Sequence, residues 1–305
     1  MIMAVMTVTC GPGQGDPITD PPATAAAETA EAPTRVLVLG DVSNAPLRTI
    51  ESMQPLADYL AARLVQVGVG SVEVRIVRSL ADMTDALTES RVDLYFDSPV
   101  GAREATMQAG AEPILRRWKG GAPEYHSVIF ALADAGIETE ADLEGRILAF
   151  DEPYSTSGYV LPAAHLLDRG LDLGLVTGPD DAISPGAAGY VFTSHDQNTI
   201  QWVISGRAAA GAVDNLTFAA LPPETRASFV IVGETGSVVR QLVLARAGLD
   251  AELARTIVTV LSEMHANEEG RDALRPFDTA RFDALPPGTN LQTVGEMLET
   301  VGSAR

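Results

Sequence analysis

Short apolar runs alternate with amphipathic stretches along most of this chain. Residues 35–40 (RVLVLG) form a continuous apolar run, as a strand buried on both faces does. Pro55 opens a stretch with Leu56, Leu60 and Leu64 on one stripe, which predicts a helix. Strands are expected at 72–77, 92–96, 113–115 and 125–132, with helices at 80–87 and 102–109 between them. Near Ala133 the pattern restarts. A short helix at 138–143 leads into a strand at 146–150 (RILAF), and further strands follow at 189–193, 208–213, 229–232 and 241–245. A helix carrying Ile200, Val203 and Ile204 lies among them, and a long one at 251–265 shows Leu253, Ile257, Val260, Leu261 and Met264 on its apolar side. No internal repeat is present. This alternation predicts an α/β protein with a largely parallel sheet.

The polar residues between these elements are clustered. Ser43-Asn44, Asp97-Ser98, Ser155-Thr156-Ser157, Ser194-His195-Asp196 and Asp214-Asn215 each follow an expected strand. Strand ends of one polarity share one edge of a parallel sheet, so the five loops are expected to converge on one cleft. The richest is 151–159 (DEPYSTSGY), between the strand at 146–150 and a helix bearing Leu161, Ala164 and Leu167. A strand–turn–helix junction offers unpaired backbone N–H groups and the positive end of a helix dipole, here beside three hydroxyls. That chemistry holds a small oxyanion; the alternative is an ordinary helix cap. Pro162 is comfortable only in a first turn, which leaves the helix start open by several residues.

Composition narrows the function. The chain has 305 residues, enough for two domains, and 46% hydrophobic residues, enough for real cores. Its formal charge is −20 and Lys119 is its one lysine, which disfavours nucleic acid and anionic membranes as partners. An anion site here has to work by short-range donors against a repelling surface. Cys10 is the single cysteine, so no internal disulfide or cysteine metal site is expected. No phosphate loop or metal motif is present, and no cofactor is expected. Residues 1–9 are apolar, Cys10-Gly11 follows, and the stretch to Pro33 is rich in Gly, Pro, Ala and Thr, as a disordered tether is. This resembles the end of a bacterial lipoprotein signal and implies lipid on Cys10; an incidental cysteine near a frayed terminus is the alternative. No stretch is long enough for a transmembrane helix.

From about Val36 to Leu274 the chain resembles the substrate-binding proteins of bacterial ABC importers for phosphonate, phosphite and phosphate-like anions. The residues that carry the likeness are 54–60 (QPLADYL), 125–129 (YHSVI), 155–159 (STSGY) with Pro162, 194–196 (SHD) and 211–214 (GAVD). The resemblance implies a two-lobed periplasmic-binding-protein type II fold with two crossover strands. One lobe would comprise residues 34–131 with 236–305, the other 132–235, with 1–33 outside both. It further implies a small oxyanion held between the lobes, an ABC permease in the membrane as partner, and a monomer. The implied ligand set is Ser43, Ser98, Tyr125, Ser155, Thr156, Ser157, His195 and Asp214. Two positions depart from the family: Ala102 stands where relatives carry tyrosine, with Tyr95 or Tyr125 as replacements, and Val239 stands for a proline.

Other roles stay open at this stage. His195 is either a ligand contact or a helix-start residue, and Asp196 is expected to be an N-cap. Asp214, if ionised beside an anion, only accepts hydrogen bonds and favours a ligand that retains a proton. Arg116, Arg117, Trp118 and Lys119 form a basic patch around an aromatic, expected in a solvated loop, with contact to a ligand tail or the transporter as the alternative. An enzyme assembled from Ser157, His195 and Asp214 is a competing reading that geometry has to decide. A receptor that passes ligand binding to a signalling partner is another.

Overall fold

The apolar run at 35–40 becomes β1 (Arg35–Val42), the centre of the first lobe. The computed structural model describes residues 1, 4–9, 11, 34–178, 181–289 and 291–303. After β1 come α1 (Pro46–Arg63), β2 (Val69–Val77), α2 (Leu80–Thr88), β3 (Leu94–Asp97), α3 (Pro99–Ala109) and β4 (Glu112–Lys119). The chain passes through β5 (Glu124–Tyr125) into β6 (Ser127–Leu132), β7 (Ile147–Phe150), α4 (Leu161–Asp168), β8 (Asp172–Leu175) and β9 (Ala187–Phe192). Next are α5 (Asp196–Ile204), β10 (Ala210–Asp214), α6 (Asn215–Ala219), α7 (Pro223–Ala227) and β11 (Phe229–Glu234). It returns through β12 (Val238–Val239) to β13 (Gln241–Ala245), α8 (Ala251–Glu263), α9 (Glu268–Leu274), β14 (Thr279–Asp283) and α10 (Gln292–Ser303).

These strands build two six-stranded sheets, ordered β14-β4-β13-β3-β1-β2 and β11-β6-β10-β7-β9-β8. In the first, β1 pairs in parallel with β2 and β3, while β13 lies antiparallel between β3 and β4. In the second, β8, β9, β7 and β10 run parallel, β6 pairs antiparallel with β10, and β11 pairs antiparallel with β6. Between the sheets the two crossovers pair with each other, Val238 opposite Tyr125 and Val239 opposite Glu124. Helices cover both faces of each sheet. Val243 of β13 packs with Leu56 and Leu60 of α1 and Ile257 of α8, whereas its neighbours Leu242 and Leu244 pack with Met83 of α2 and Ala102 of α3. That reversal between successive residues is the two-residue period of a strand buried on both sides. Likewise Leu148 and Phe150 face α4, and Ala149 faces Ile200 and Val203 of α5.

Several expectations change. The α/β reading holds, but both sheets are mixed rather than largely parallel, because each receives strands that come from crossovers or hairpin returns. The run 125–132 is not one strand of the first lobe: His126 interrupts it, and β6 belongs to the second sheet, so the chain leaves the first sheet after Lys119. The last helix also departs from the expected 236–305 lobe, since Val294 and Val301 of α10 are buried in the second lobe's core. Pro55 does not start a helix. Pro46 occupies the first turn of α1 and Pro55 sits inside it. An interior proline costs about 3 kcal/mol. Burial of Met53, Leu56 and Leu60 on the same helix offsets that, at roughly 1.5–3 kcal/mol per side chain.

Residues 33–305 form one compact unit. Of residues 1–32 the structure describes only 1, 4–9 and 11, none of them in a helix or strand. Cys10 and nearly all of the expected tether lie outside the described residues. No described helix is long and apolar enough to cross a membrane.

Candidate functional site

The turn after β7 is shaped by Gly158 and Pro162. Pro162 has no N–H, and in an unbroken α-helix its ring would press on the carbonyl of Gly158 four residues back. The chain instead makes one wide turn over Thr156–Val160, with Val160 N–H donating to Ser155 O, five residues back, at 3.0 Å. Such wide turns occur often at functional sites. The released Gly158 carbonyl accepts from Asp151 N–H at 3.0 Å. A Cβ on Gly158 would lie 2.5 Å from Asp151 Cβ, so this close return of the chain requires glycine. Ser155 caps the turn through its hydroxyl, which accepts from Gly158 N–H at 3.1 Å. From β6, the Ser127 hydroxyl donates to Ser157 O at 2.7 Å and fixes the far side.

This turn lines a cleft of about 700 Å³ between the two sheets. The first lobe contributes Tyr95, Asp97, Ser98 and Lys119, the crossovers Tyr125 and Arg240, and the second lobe Asp151, Glu152, Ser155, Thr156, Ser157, Asp196 and Asp214. Six of the eight expected ligand residues therefore meet here: Ser98, Tyr125, Ser155, Thr156, Ser157 and Asp214. Both candidate replacements for the missing tyrosine at position 102, Tyr95 and Tyr125, also line the cleft. Tyr95 donates to Asp97 Oδ2. Burial pushes the Tyr125 phenol up to about 12, so it stays a proton donor.

Two expected residues lie elsewhere. Ser43 lines an adjoining cavity of about 440 Å³ with Asp41 and Arg117, and its hydroxyl accepts from Ala45 N–H and from the Thr49 hydroxyl at the start of α1. His195 is the exposed residue before α5, outside the cleft lining, beside Asp151 and Glu152. It forms no hydrogen bond with Ser157 or Asp214, so no nucleophile–base–acid chain exists among the three. The expected cap, Asp196, is instead the first residue of α5 and faces the cleft.

Asp214 faces the cleft with its oxygens engaged. Oδ1 accepts from Leu216 and Thr217 N–H, and Oδ2 accepts from the Thr217 hydroxyl at 2.7 Å, which caps α6. Arg240 stands 3.8 Å from Oδ2.

Of the cations that balance the site, Arg240 is not singled out by the sequence and Lys119 is expected in a solvated loop. Arg117 and Lys119 lie on β4, a strand and not a solvated loop, and alternate with Arg116 and Trp118. Arg116 is tied to Asp283 by two 2.8 Å bonds and Trp118 stacks with Arg281, while Arg117 is buried and Lys119 reaches the cleft. Burial, then the Arg117 and Arg240 charges, hold the Lys119 ammonium below its usual range. It makes no hydrogen bond or salt bridge with any described residue. Arg240 lies over the Tyr125 ring at 4.3 Å, and its buried Nε has no hydrogen-bond partner. Two cationic groups with open donors thus stand across from the hydroxyl turn. The position of Lys119 as the one lysine in a chain of charge −20 was the available signal.

Carboxyls fill the remaining wall, and burial disfavours their ionisation. Asp196 is raised to about 7 by burial first and then by the Asp151 and Asp214 charges, against Arg240 and Lys119. Asp97 and Asp151 are raised chiefly by burial, and Glu152 by burial and Asp151. Near neutral pH the site can shed negative charge by holding protons, which favours an anion between Lys119 and Arg240. No described cluster of His, Cys, Asp and Glu has the arrangement of a metal site.

Comparison with known proteins agrees with this fold. Residues 43–287 match the family described as ABC transporter, phosphonate, periplasmic substrate-binding protein. XAC2383 from Xanthomonas citri, solved bound to chloride ion and bound to ATP, superposes with a TM-score of 0.81 at 29% identity, covering 88–89% of this chain and 98% of that one. PhnD1 from Prochlorococcus marinus in complex with methylphosphonate superposes at 0.67 with 16% identity, over 88% of this chain and 98% of that one, a likeness of fold. The fold is the two-lobed type II periplasmic-binding-protein fold. The phosphate-import protein PhnD of Mycolicibacterium smegmatis is 27% identical over 172 residues, 54% of this chain. The chain spans about half the length of that curated relative, 52%.

Proposed function

We propose a function for this chain from one premise: it belongs to the family of periplasmic substrate-binding proteins of phosphonate ABC transporters. It captures a small phosphorus oxyanion (phosphonate, phosphite or phosphate) outside the cytoplasm, as a monomer, and hands it to a membrane permease rather than transforming it. The observation that carries this reading is the pairing of Lys119 and Arg240 with Ser157 and Tyr125 in one cleft. Four donors converge there in a chain that is otherwise strongly acidic. The anion bridges Lys119 of the first lobe and the Ser157 turn of the second, so binding favours the closed arrangement of the lobes.

A second reading has one observation in its favour. A cleft of about 700 Å³ lies within the roughly 300–1,000 Å³ of pockets that enclose drug-sized ligands. XAC2383 has been solved with ATP. On this reading the anion is the phosphate end of a nucleotide. A thermal-shift screen of phosphate, phosphite, methylphosphonate and ATP separates the two, because a ligand of the folded state raises the melting temperature. Stabilisation by phosphate, phosphite or methylphosphonate supports the first reading, and by ATP alone the second. No response to any of them contradicts both.

Cys10, the lone cysteine between an apolar run and a stretch rich in Gly, Pro, Ala and Thr, is a lipid anchor with residues 11–33 as its tether. Mass spectrometry of the protein from its native membrane is expected to find an acylated Cys10 as the first residue; an unmodified Cys10 with residues 1–9 attached contradicts the anchor.

A further inference from the structure

The first turn of α3 lacks a cap of its own. Ser98 precedes the helix, but its hydroxyl turns to Asp97 Oδ1 at 3.2 Å and caps no amide. Pro99 has no N–H, so Val100 carries the first open donor of the helix, one of those for which an α-helix provides no partner. That donor is satisfied from the other lobe. Val100 N–H donates to Thr156 Oγ1 at 3.0 Å, and the Thr156 hydroxyl donates in turn to Ser98 Oγ at 3.0 Å. Thr156 is only 2% exposed. The Val100 side chain is fully buried in the second lobe's core beside Phe150 and Tyr159. A Cβ on Gly101 would overlap the Asp97 carboxylate, so the start of this helix is also pressed against the end of β3.

We propose that Thr156 is a positioning residue that caps α3 across the lobe interface. It ties the Asp97-Ser98 wall of one lobe to the Ser155–Ser157 turn of the other, while Ser157 serves the ligand. The middle hydroxyl of the turn has spent its one donor on Ser98 of the first lobe, leaving none for an anion. An anion settling on Ser157 and Lys119 therefore meets two walls already held in register. The inference builds on the reading that the ligand lies between the lobes, but its first test needs no ligand.

Thr156→Val keeps the shape of the side chain and removes the hydroxyl; Thr156→Ser restores the hydroxyl. In the ligand-free protein, hydrogen exchange at the Val100 amide is expected to accelerate at least about tenfold in Thr156→Val and return toward the parent rate in Thr156→Ser, as loss and rescue of a protecting hydrogen bond require. Val100→Pro deletes the donor from the other side, within the first turn of the helix, and Val100→Ala retains the donor as a control for lost packing. Titrated with methylphosphonate and phosphate, Val100→Pro and Thr156→Val are expected to weaken binding non-additively, since both break one bond. Unchanged Val100 exchange in Thr156→Val, or a full additive loss of affinity when Thr156→Val is added to Val100→Pro, overturns the proposal and makes Thr156 a ligand contact. If neither anion binds while Val100 exchange still responds, the assignment of the ligand fails and the inter-lobe cap stands.

Discussion

Ser155 and Ser157 stand two residues apart and serve different ends. Ser155 accepts from Gly158 N–H to cap the turn and hydrogen-bonds the Asp151 carboxylate with its hydroxyl, so Ser155→Ala is expected to cost about 0.5–2 kcal/mol in stability, read by denaturant melts. Ser157 lines the cleft with its carbonyl already fixed by Ser127, and Ser157→Ala is expected to weaken anion binding by about 1–3 kcal/mol with little change in the melt. Calorimetry on both variants checks the division; equal affinity loss in the two would undo it. Asp196 sets the pH dependence. Its carboxyl is raised to about 7 and faces the cleft among Asp151, Glu152, Asp214, Arg240 and Lys119. Above that pH it is ionised and repels the anion; below it the repulsion is gone. Affinity is thus expected to fall as pH rises through about 7, and less steeply in Asp196→Asn. Comparing the two proteins cancels the ligand's own titration, and parallel profiles would contradict the assignment. The stability of the free protein runs the same way. Asp41 and Asp196 are both raised to about 7 from 3.8. The folded state therefore holds more protons than the unfolded one between these values, and stability falls as pH rises across that window.

The hydroxyl turn, as an element, depends on a glycine and a proline acting together. Gly158→Ala is expected to lower both stability and anion affinity, because its Cβ would meet Asp151 Cβ at 2.5 Å and push the turn out of register. Thermal melts and titration of that variant check this, and parent-like values for both would show that the turn gives way freely. The strand, the turn and the helix after it were legible in the sequence, since an apolar run, hydroxyls and a helical stripe each leave a local pattern. The width of the turn was not, because it follows from Pro162 meeting a chain return at Asp151 that only the folded structure reveals. Strand β4 was misread for a related reason. Its alternation of Arg116 and Trp118 with Arg117 and Lys119 looks uniformly polar, and the burial of Arg117 rests on partners far along the chain, Thr279 at 2.8 Å and Gln241 at 2.7 Å. Arg240 was missed because its place over Tyr125 arises from the pairing of two crossovers distant in sequence.

Over the whole molecule, the alternation of strands and helices revealed the α/β class, and the five polar loops do follow strands. The antiparallel insertion of β13 and β6 and the return of α10 to the second lobe left no periodic signal, since they concern which strands become neighbours and not what each strand is made of. Charge acts at this scale as well. A surface of formal charge −20 repels an anion at long range, and salt screens that repulsion beyond about 8 Å at physiological ionic strength. The association rate of the anion is therefore expected to rise with added salt, opposite to an electrostatically steered encounter; a stopped-flow rate that falls with salt would contradict this. The most direct test of the central claim, that Lys119 and Arg240 hold a phosphorus oxyanion against the Ser157 turn, is calorimetric titration of the parent and Lys119→Gln with methylphosphonate, phosphite and phosphate. At least one anion is expected to bind the parent and to lose at least about 30-fold, on the order of 2 kcal/mol, when the ammonium is removed. Binding of none of them, or equal affinity in both proteins, would contradict it.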